Sequence, residues 1–98
     1  MMGRASITKL LPADRASSLR FGLGRELRRL RLEAHLSQAN LSVPLTRAYI
    51  SQVEAGRTIP SLPALIVLAE RLGTSAEEVL KSVNQTLNVE YPVGHEDR

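Results

Sequence analysis

Helix-capping and helix-breaking residues alternate along this sequence and divide it into short helices. Ser and Thr are favoured at helix N-caps, and four of them precede runs of helix-forming residues: Ser37, Thr46, Ser61 and Ser75. Glycine favours the C′ position and proline blocks continuation, and such residues close the runs: Pro44, Gly56, Pro60 and Gly73. No segment has a convincing strand pattern, and three aromatic residues are few for a β-sandwich core. The sequence therefore predicts an all-α fold of five helices.

The first and last helices are predicted from their apolar spacing. A helix capped by Ser17 or Ser18 and ending at His35 carries one apolar face, formed by Leu23, Leu27, Leu30 and Ala34. Its other side is polar: Arg25, Glu26, Arg28 and Arg29. The fifth helix opens with Ser75 and Glu78 spaced as a capping box, and its predicted buried stripe is Leu80, Val83 and Leu87.

Between them lie three shorter helices. The second runs from Gln38 to about Val43, and the third lies between Thr46 and Gly56. The fourth, "LPALIVLAERL", is apolar nearly all round, which predicts a position in the middle of the domain. A short helix, a tight turn and a second short helix, flanked by other helices, is the plan of a helix-turn-helix domain.

Charge is unevenly distributed along the 98 residues. Residues 1–31 hold eight Arg or Lys against two acidic residues, and residues 32–98 hold five against eight, although the whole chain carries only +3. We expect a flexible basic arm over residues 1–17, a helical domain over 18–90 and a disordered tail over 91–98. Such asymmetry favours a polyanionic partner, with a merely solvated arm as the alternative.

Composition argues against several other classes of protein. There is no cysteine, and the two histidines, His35 and His95, have no metal-binding spacing. The longest apolar run, Ala64 to Ala69, is far too short to cross a bilayer. Glu77 and Glu78 are adjacent in a first helical turn, where acids favour the helix dipole, and are no acid/base pair. We expect a cytoplasmic protein without catalytic residues, cofactor or metal.

One long stretch resembles a known family. The segments "LGRELRRLRLEAHLSQANL" and "LTRAYISQVEAGRTIPSLPALIVLAERLGTSAEEVL" are similar to the phage Cro and lambda-repressor helix-turn-helix regulators, also called the xenobiotic-response-element family. The resemblance spans roughly Leu23 to Leu80. It implies a compact five-helix DNA-binding domain whose third helix is the recognition helix.

At 100° per residue, the third helix presents Arg47, Ala48, Ser51, Gln52 and Ala55 on one side. Because the resemblance places this helix in the major groove, Arg47 and Gln52 are the predicted main base readers, with Ser51 and Ala48 as lesser contacts. Arg can bridge guanine O6 and N7, and Gln can bridge adenine N6 and N7. The alternative is a solvated helix face.

Other residues are expected at the DNA backbone. By resemblance, Gln38 grips a phosphate and also supports the recognition helix, while Arg57 and Thr58 contact phosphates from the following loop. The Tyr49 hydroxyl can also reach a phosphate, or the ring can lie at the edge of the core. Arg4, Arg15 and Arg20 either add non-specific attraction or have only an unstructured role.

The resemblance further pairs Arg31, late in the first helix, with Glu54, late in the third. Such an ion pair would lock the recognition helix to the scaffold. The chain departs from the family between Gln38 and the third helix, where it is about two residues shorter and the turn "SVPLT" has Pro44 and no glycine. This departure leaves the angle between helices two and three open.

Two functions remain. The first is a repressor-like, sequence-specific transcriptional regulator that binds an inverted repeat in double-stranded DNA as a homodimer, with helix five and residues 82–91 as the dimer surface. The second is a protein–protein interaction module on the same scaffold, such as an antitoxin-like or regulator-binding protein. The single Arg and absent Lys on the recognition side keep that alternative open.

Overall fold

The computed structural model describes residues 13–90 of the chain, with side chains from residue 16 to residue 86. Five helices follow one another, and no strand occurs in this range. They are α1 (Ala13–Glu33), α2 (Gln38–Ser42), α3 (Arg47–Glu54), α4 (Leu62–Arg71) and α5 (Ala76–Glu90). The predicted all-α, five-helix helix-turn-helix architecture is confirmed.

Side-chain caps begin four of the helices, as predicted. The hydroxyls of Ser37, Thr46, Ser61 and Ser75 each accept a hydrogen bond from the backbone N–H three residues later, over 3.0 to 3.2 Å. Each cap satisfies one of the N–H groups that lack a partner inside the helix.

Left-handed residues end three helices. Gly56 (φ 75°) follows α3 and Gly73 (φ 79°) follows α4, so both predicted C′ glycines are confirmed. His35 takes this position after α1, with φ 59°. Its N–H donates to the Leu32 carbonyl and the next N–H donates to the Arg31 carbonyl, which is the hydrogen-bond pattern of a Schellman motif. The last helical residue of α1 is therefore Glu33, and His35 is a turn residue.

One apolar cluster joins all five helices. α1 is central because it packs against both α5 and α3, and α2 packs against α3 and α4. The most deeply buried large side chains come from every helix: Leu27, Leu41, Ile50, Val53, Leu68 and Val79. Leu30, Leu45 and Tyr49 pack against this cluster while partly exposed.

The start of α1 differs from the prediction. The helix begins at Ala13 rather than at a cap on Ser17 or Ser18, so the last five residues of the predicted arm are helical. Pro12 directly precedes the helix, and no residue from 13 to 18 interrupts it. Residues 1–12 of the arm, including Arg4, and the predicted tail 91–98 lie outside the described residues.

Two predicted apolar faces are also corrected. Val79 rather than Leu80 is buried in α5, and Leu80 is 42% exposed because the inner face of this helix follows residues 76, 79 and 83. The side chain of Leu87 is outside the described range. α4 does not lie wholly inside the domain, since Leu62 is 61% and Ile66 is 41% exposed.

Candidate nucleic-acid interface

The predicted reading face of α3 lies on the surface. Arg47, Ala48, Ser51 and Gln52 are all exposed, whereas Ile50 and Val53 of the same helix are buried. The side chains of Arg47, Ser51 and Gln52 make no hydrogen bond or ion pair with the part of the chain whose side chains are described, residues 16–86. Their donors and acceptors are therefore available to an external partner.

A shallow depression brings part of this face together with the preceding helix. Gln38 at the start of α2 lines it with Arg47, Ala48 and Ser51 of α3. Gln52 lies further along α3; it is exposed but does not line the depression. The two small residues, Ala48 and Ser51, leave room for another molecule to approach the α3 backbone.

A buried ion pair holds the last residue of α3. Arg31 Nε donates to Glu54 Oε2 over 2.7 Å, and Arg31 Nη2 donates to Glu54 Oε1 over 2.9 Å. The two side chains are only 9% and 4% exposed. The predicted pair is confirmed as a two-point clasp, the arrangement that the planar guanidinium forms best with a carboxylate. Hydrogen bonding to the Glu54 carboxylate raises the pKa of Arg31, against the opposing effect of burial.

Two more hydrogen bonds connect the Arg31–Glu54 clasp to the segment before α2 and to the start of α2. Arg31 Nη1 donates to the Leu36 carbonyl over 2.8 Å, and Gln38 Nε2 donates to Glu54 Oε1 over 3.0 Å. The predicted support of α3 by Gln38 is thus present. One N–H of the Gln38 amide remains for another partner, because Nε2 carries two.

α1 and α3 come into direct backbone contact at Gly24. A Cβ placed on Gly24 would lie 2.3 Å from the Val53 carbonyl oxygen and 2.9 Å from that of Glu54. Only glycine permits this approach. The mid-helical glycine was the available signal in the sequence, since glycine inside a helix costs about 1 kcal/mol relative to alanine and calls for a structural reason.

A second contact closes the C-terminal end of α3. Arg20 Nε donates to the Gly56 carbonyl over 3.3 Å, and its Nη2 donates to the Ser17 hydroxyl over 3.1 Å. The ring of Phe21 lies against Gly56, where a Cβ would meet it at 2.2 Å. Arg20 is therefore held within the domain and has no unstructured role, whereas its non-specific attraction to DNA stays a prediction. Nothing in the local sequence signals the contact with Gly56.

These contacts gather at one end of α3. The last turn of α3 is held by Arg31, Gly24 and Arg20 of α1, while the N-terminal turn with Arg47 projects outward. The arrangement suits insertion of that turn into a groove.

The predicted phosphate-contacting residues differ in exposure. Arg57 is exposed and Thr58 is half-buried in the loop after Gly56, and Gln38 is half-buried at the start of α2. Tyr49 is half-buried and packs against the core, as its core-edge alternative requires. The side chain of Arg15 is not described.

The shortened turn is accommodated by a very short α2. This helix has five residues, and only Val43, Pro44, Leu45 and Thr46 separate it from α3. Ser42 Oγ donates to the Ala39 carbonyl over 2.9 Å at the end of α2. Despite the deficit, Gln38 reaches Glu54, so the contact between the start of α2 and the end of α3 is retained.

Two other features are absent from the described residues. Among residues 13–90, no three His, Cys, Asp or Glu side chains are grouped so that they could hold a metal ion. No helix in that part of the chain has the length and apolar content of a membrane span.

Fold and sequence comparison agree on the class. A family described as "Helix-turn-helix domain" matches residues 22–81, and the chain belongs to this family. A helix-turn-helix places its second helix against DNA. No curated protein matches the chain significantly.

Two solved structures with this fold are similar to the chain. Both are described as the clp gene regulator ClgR from Corynebacterium glutamicum. One has a TM-score of 0.63 and 24% identity, covering 76% of this chain and 96% of that one. The other has a TM-score of 0.64 and 28% identity, covering 70% of this chain and 92% of that one.

Proposed function

We propose that the chain is a sequence-specific, repressor-like transcriptional regulator of the Cro and lambda-repressor type. The observation that carries this proposal is the exposed face of α3. Its polar side chains have no partner among the side chains of residues 16–86, and the last turn of the helix is clamped to α1. A rigid helix with uncommitted donors can read base edges without first breaking internal contacts. The similar ClgR structures are described as those of a gene regulator, which supports the same function.

In this proposal α3 enters the major groove by its N-terminal turn. Arg47 bridges O6 and N7 of a guanine, and Gln52 bridges N6 and N7 of an adenine, each contributing about 1–3 kcal/mol of discrimination. Ser51 and Ala48 make the lesser base contacts. Gln38, through its remaining N–H, and Tyr49, Arg57 and Thr58 hold the phosphates on either side.

Binding as a homodimer follows from the expected operator. Two half-sites in an inverted repeat, separated by roughly one helical turn of about 34 Å, need two α3 helices related by a two-fold axis. The dimer surface proposed here is α5 with residues 82–91. Exposed Leu80 supports this assignment, since it borders an apolar groove with Leu19 and Val83.

The test begins with selection of bound duplexes from a random pool. We expect a two-fold symmetric consensus, and affinity that falls steeply with salt. Arg47→Ala should relax preference at one position per half-site, by roughly 5- to 150-fold in discrimination. Arg57→Ala is the matched control: it should weaken all sequences alike and reduce the salt slope by about 0.9 per phosphate contact.

Both variants should melt like the parent, because both side chains are exposed. Equal loss of affinity for every sequence in Arg47→Ala would remove this residue from base reading. A parent protein that enriches no sequence, and whose binding to mixed DNA is insensitive to salt, would refute the DNA-binding function.

The second candidate is the protein–protein interaction module. Leu62 and Ile66 favour it, because they are two large apolar side chains one helical turn apart on the exposed face of α4. Leu62→Ser together with Ile66→Ser should leave DNA selection intact under the first function. If this double variant loses a salt-independent complex with a protein partner, that result would support the second function.

A further inference from the structure

The end of α2 has a carbonyl group that its own helix cannot satisfy. In an α-helix, each carbonyl accepts from the N–H four residues later. The residue four positions after Asn40 is Pro44, which has no N–H. The backbone is also already extended at Val43, so Asn40 O has no backbone donor within α2.

Arg71 supplies that donor from another helix. Its Nη2 donates to Asn40 O over 2.5 Å, across a separation of 31 residues. Arg71 is the last residue of α4, so the hydrogen bond ties the end of α4 to the end of α2. The preceding carbonyl, that of Ala39, accepts from the Ser42 hydroxyl. Two successive carbonyls of α2 are thus bound by side chains.

This hydrogen bond matters because α2 is so short. Five residues form little more than one turn, too short to be stable alone. Leu41 is the one large apolar side chain that α2 buries fully, and a helix held by one anchor can rotate about it. Gln38 fixes the beginning of α2 through Glu54, and Arg71 fixes its end.

We propose that Arg71 is a positioning residue of the helix-turn-helix. It supplies the Asn40 carbonyl with a donor that the backbone after α2 does not, and so holds α2 and the Gln38 side chain in the orientation that DNA binding requires. The part of this inference that concerns DNA rests on the proposed function. The part that concerns the order of α2 does not.

Because Arg71 is an exposed cation, a direct phosphate contact is the competing role. The two roles differ in salt dependence. Each phosphate contact contributes about 0.9 to the slope of log affinity against log salt. A residue that only positions α2 leaves this slope unchanged.

The experiment uses the full chain and three variants. Arg71→Met removes the donor but keeps most of the apolar stem, Arg71→Lys restores a donor, and Arg25→Met removes an exposed arginine of α1 as a control for charge. Affinity for the selected duplex is measured at several salt concentrations. The free proteins are compared by the NMR carbonyl shift of Asn40 and by amide hydrogen exchange across α2.

We expect Arg71→Met to bind about five- to tenfold more weakly, the effect of one lost hydrogen bond, with an unchanged salt slope. Its Asn40 carbonyl shift should change, and α2 amides should exchange faster relative to α5. Arg71→Lys should recover affinity to within about twofold, since it retains a charged donor. Arg25→Met should leave the Asn40 shift and α2 exchange as in the parent.

An unchanged Asn40 shift and unchanged α2 exchange in Arg71→Met would overturn the proposal. Together with a salt slope reduced by about 0.9, that result would assign Arg71 to a phosphate. If the parent protein binds no DNA, the proposed function fails, whereas the measurements on the free protein still decide whether Arg71 orders α2.

Discussion

Replacing Glu54 with Gln leaves the Arg31 guanidinium without its counter-charge in a buried site. The carboxylate of Glu54 accepts three hydrogen bonds, two from Arg31 and one from Gln38, over 2.7 to 3.0 Å. An amide at this position has only one oxygen, and its NH2 group must face a donor. A change that alters the shape of the side chain very little therefore removes a charge and creates a donor–donor contact.

The expected cost follows from burial. With the Arg31 and Glu54 side chains 9% and 4% exposed, water cannot replace the lost partner. Removing one member of such a pair costs about 3–5 kcal/mol. A domain of this size has a free energy of unfolding of about 4–12 kcal/mol, at roughly 0.05–0.15 kcal/mol per residue. Glu54→Gln should thus lower the melting temperature by at least about 12 °C, since each kcal/mol shifts it by about 4–8 °C.

Urea unfolding followed by far-ultraviolet circular dichroism measures the difference in the free energy of unfolding between Glu54→Gln and the parent. The chain offers a matched control in Glu33→Gln, because Glu33 pairs with Arg29 at 2.6 Å while their side chains are 63% and 50% exposed. Solvent screens that pair, and its loss should hardly move the unfolding midpoint.

A double variant separates the charge from the packing. Arg31→Met with Glu54→Leu removes both charges together and should be much more stable than either single charge-removing variant. Equal urea midpoints for Glu54→Gln and Glu33→Gln would refute the reasoning that the clasp is a strongly coupled buried pair. So would a double variant whose loss of unfolding free energy equals the sum of the losses in Arg31→Met and Glu54→Leu.

Two further predictions concern backbone positions. Gly24→Ala should destabilise the domain by about 1–3 kcal/mol, because its Cβ would lie 2.3 Å from a backbone oxygen of α3. Gly22→Ala should instead stabilise it by up to about 1 kcal/mol, because alanine favours a helix and its Cβ would lie 3.6 Å from the nearest heavy atom, an ordinary contact distance. Equal effects of the two variants on the free energy of unfolding in urea would contradict this. His35→Gly should raise the free energy of unfolding by about 0.5–1 kcal/mol, because φ is 59° there and glycine adopts that conformation without a steric cost. Thermal melts that rank His35→Gly below the parent would show that the imidazole makes a compensating contact.

Local signals in the sequence were sufficient for most helix ends. A Ser or Thr cap needs only the N–H three residues later, and a C′ glycine needs only carbonyls of the turn before it. For that reason the caps at Ser37 and Thr46 and the close of α3 at Gly56 were predicted correctly. The start of α1 was not, because weak candidate caps at Ser17 and Ser18 lie inside a helix that nothing interrupts.

The outward side of α3 could also be predicted, because helical geometry alone separates Arg47 and Gln52 from Ile50 and Val53. The Arg31–Glu54 pair came from a family resemblance, since no local rule connects residues 23 positions apart. The base and phosphate contacts remain predictions, because they depend on a DNA partner as well as on the exposure of these side chains.

By itself, the sequence determined where most helices begin and end and which side of α3 is polar, since those properties depend on neighbours within one or two turns. Only the tertiary structure decided that Arg20 binds Gly56 and that Arg71 binds Asn40, 36 and 31 residues away. It also decided that Val79 rather than Leu80 is buried and that α4 keeps Leu62 and Ile66 on the surface. The physical reason is the same in each case: burial and long-range hydrogen bonds are set by which helix faces meet, and several packings satisfy the same pattern of apolar residues.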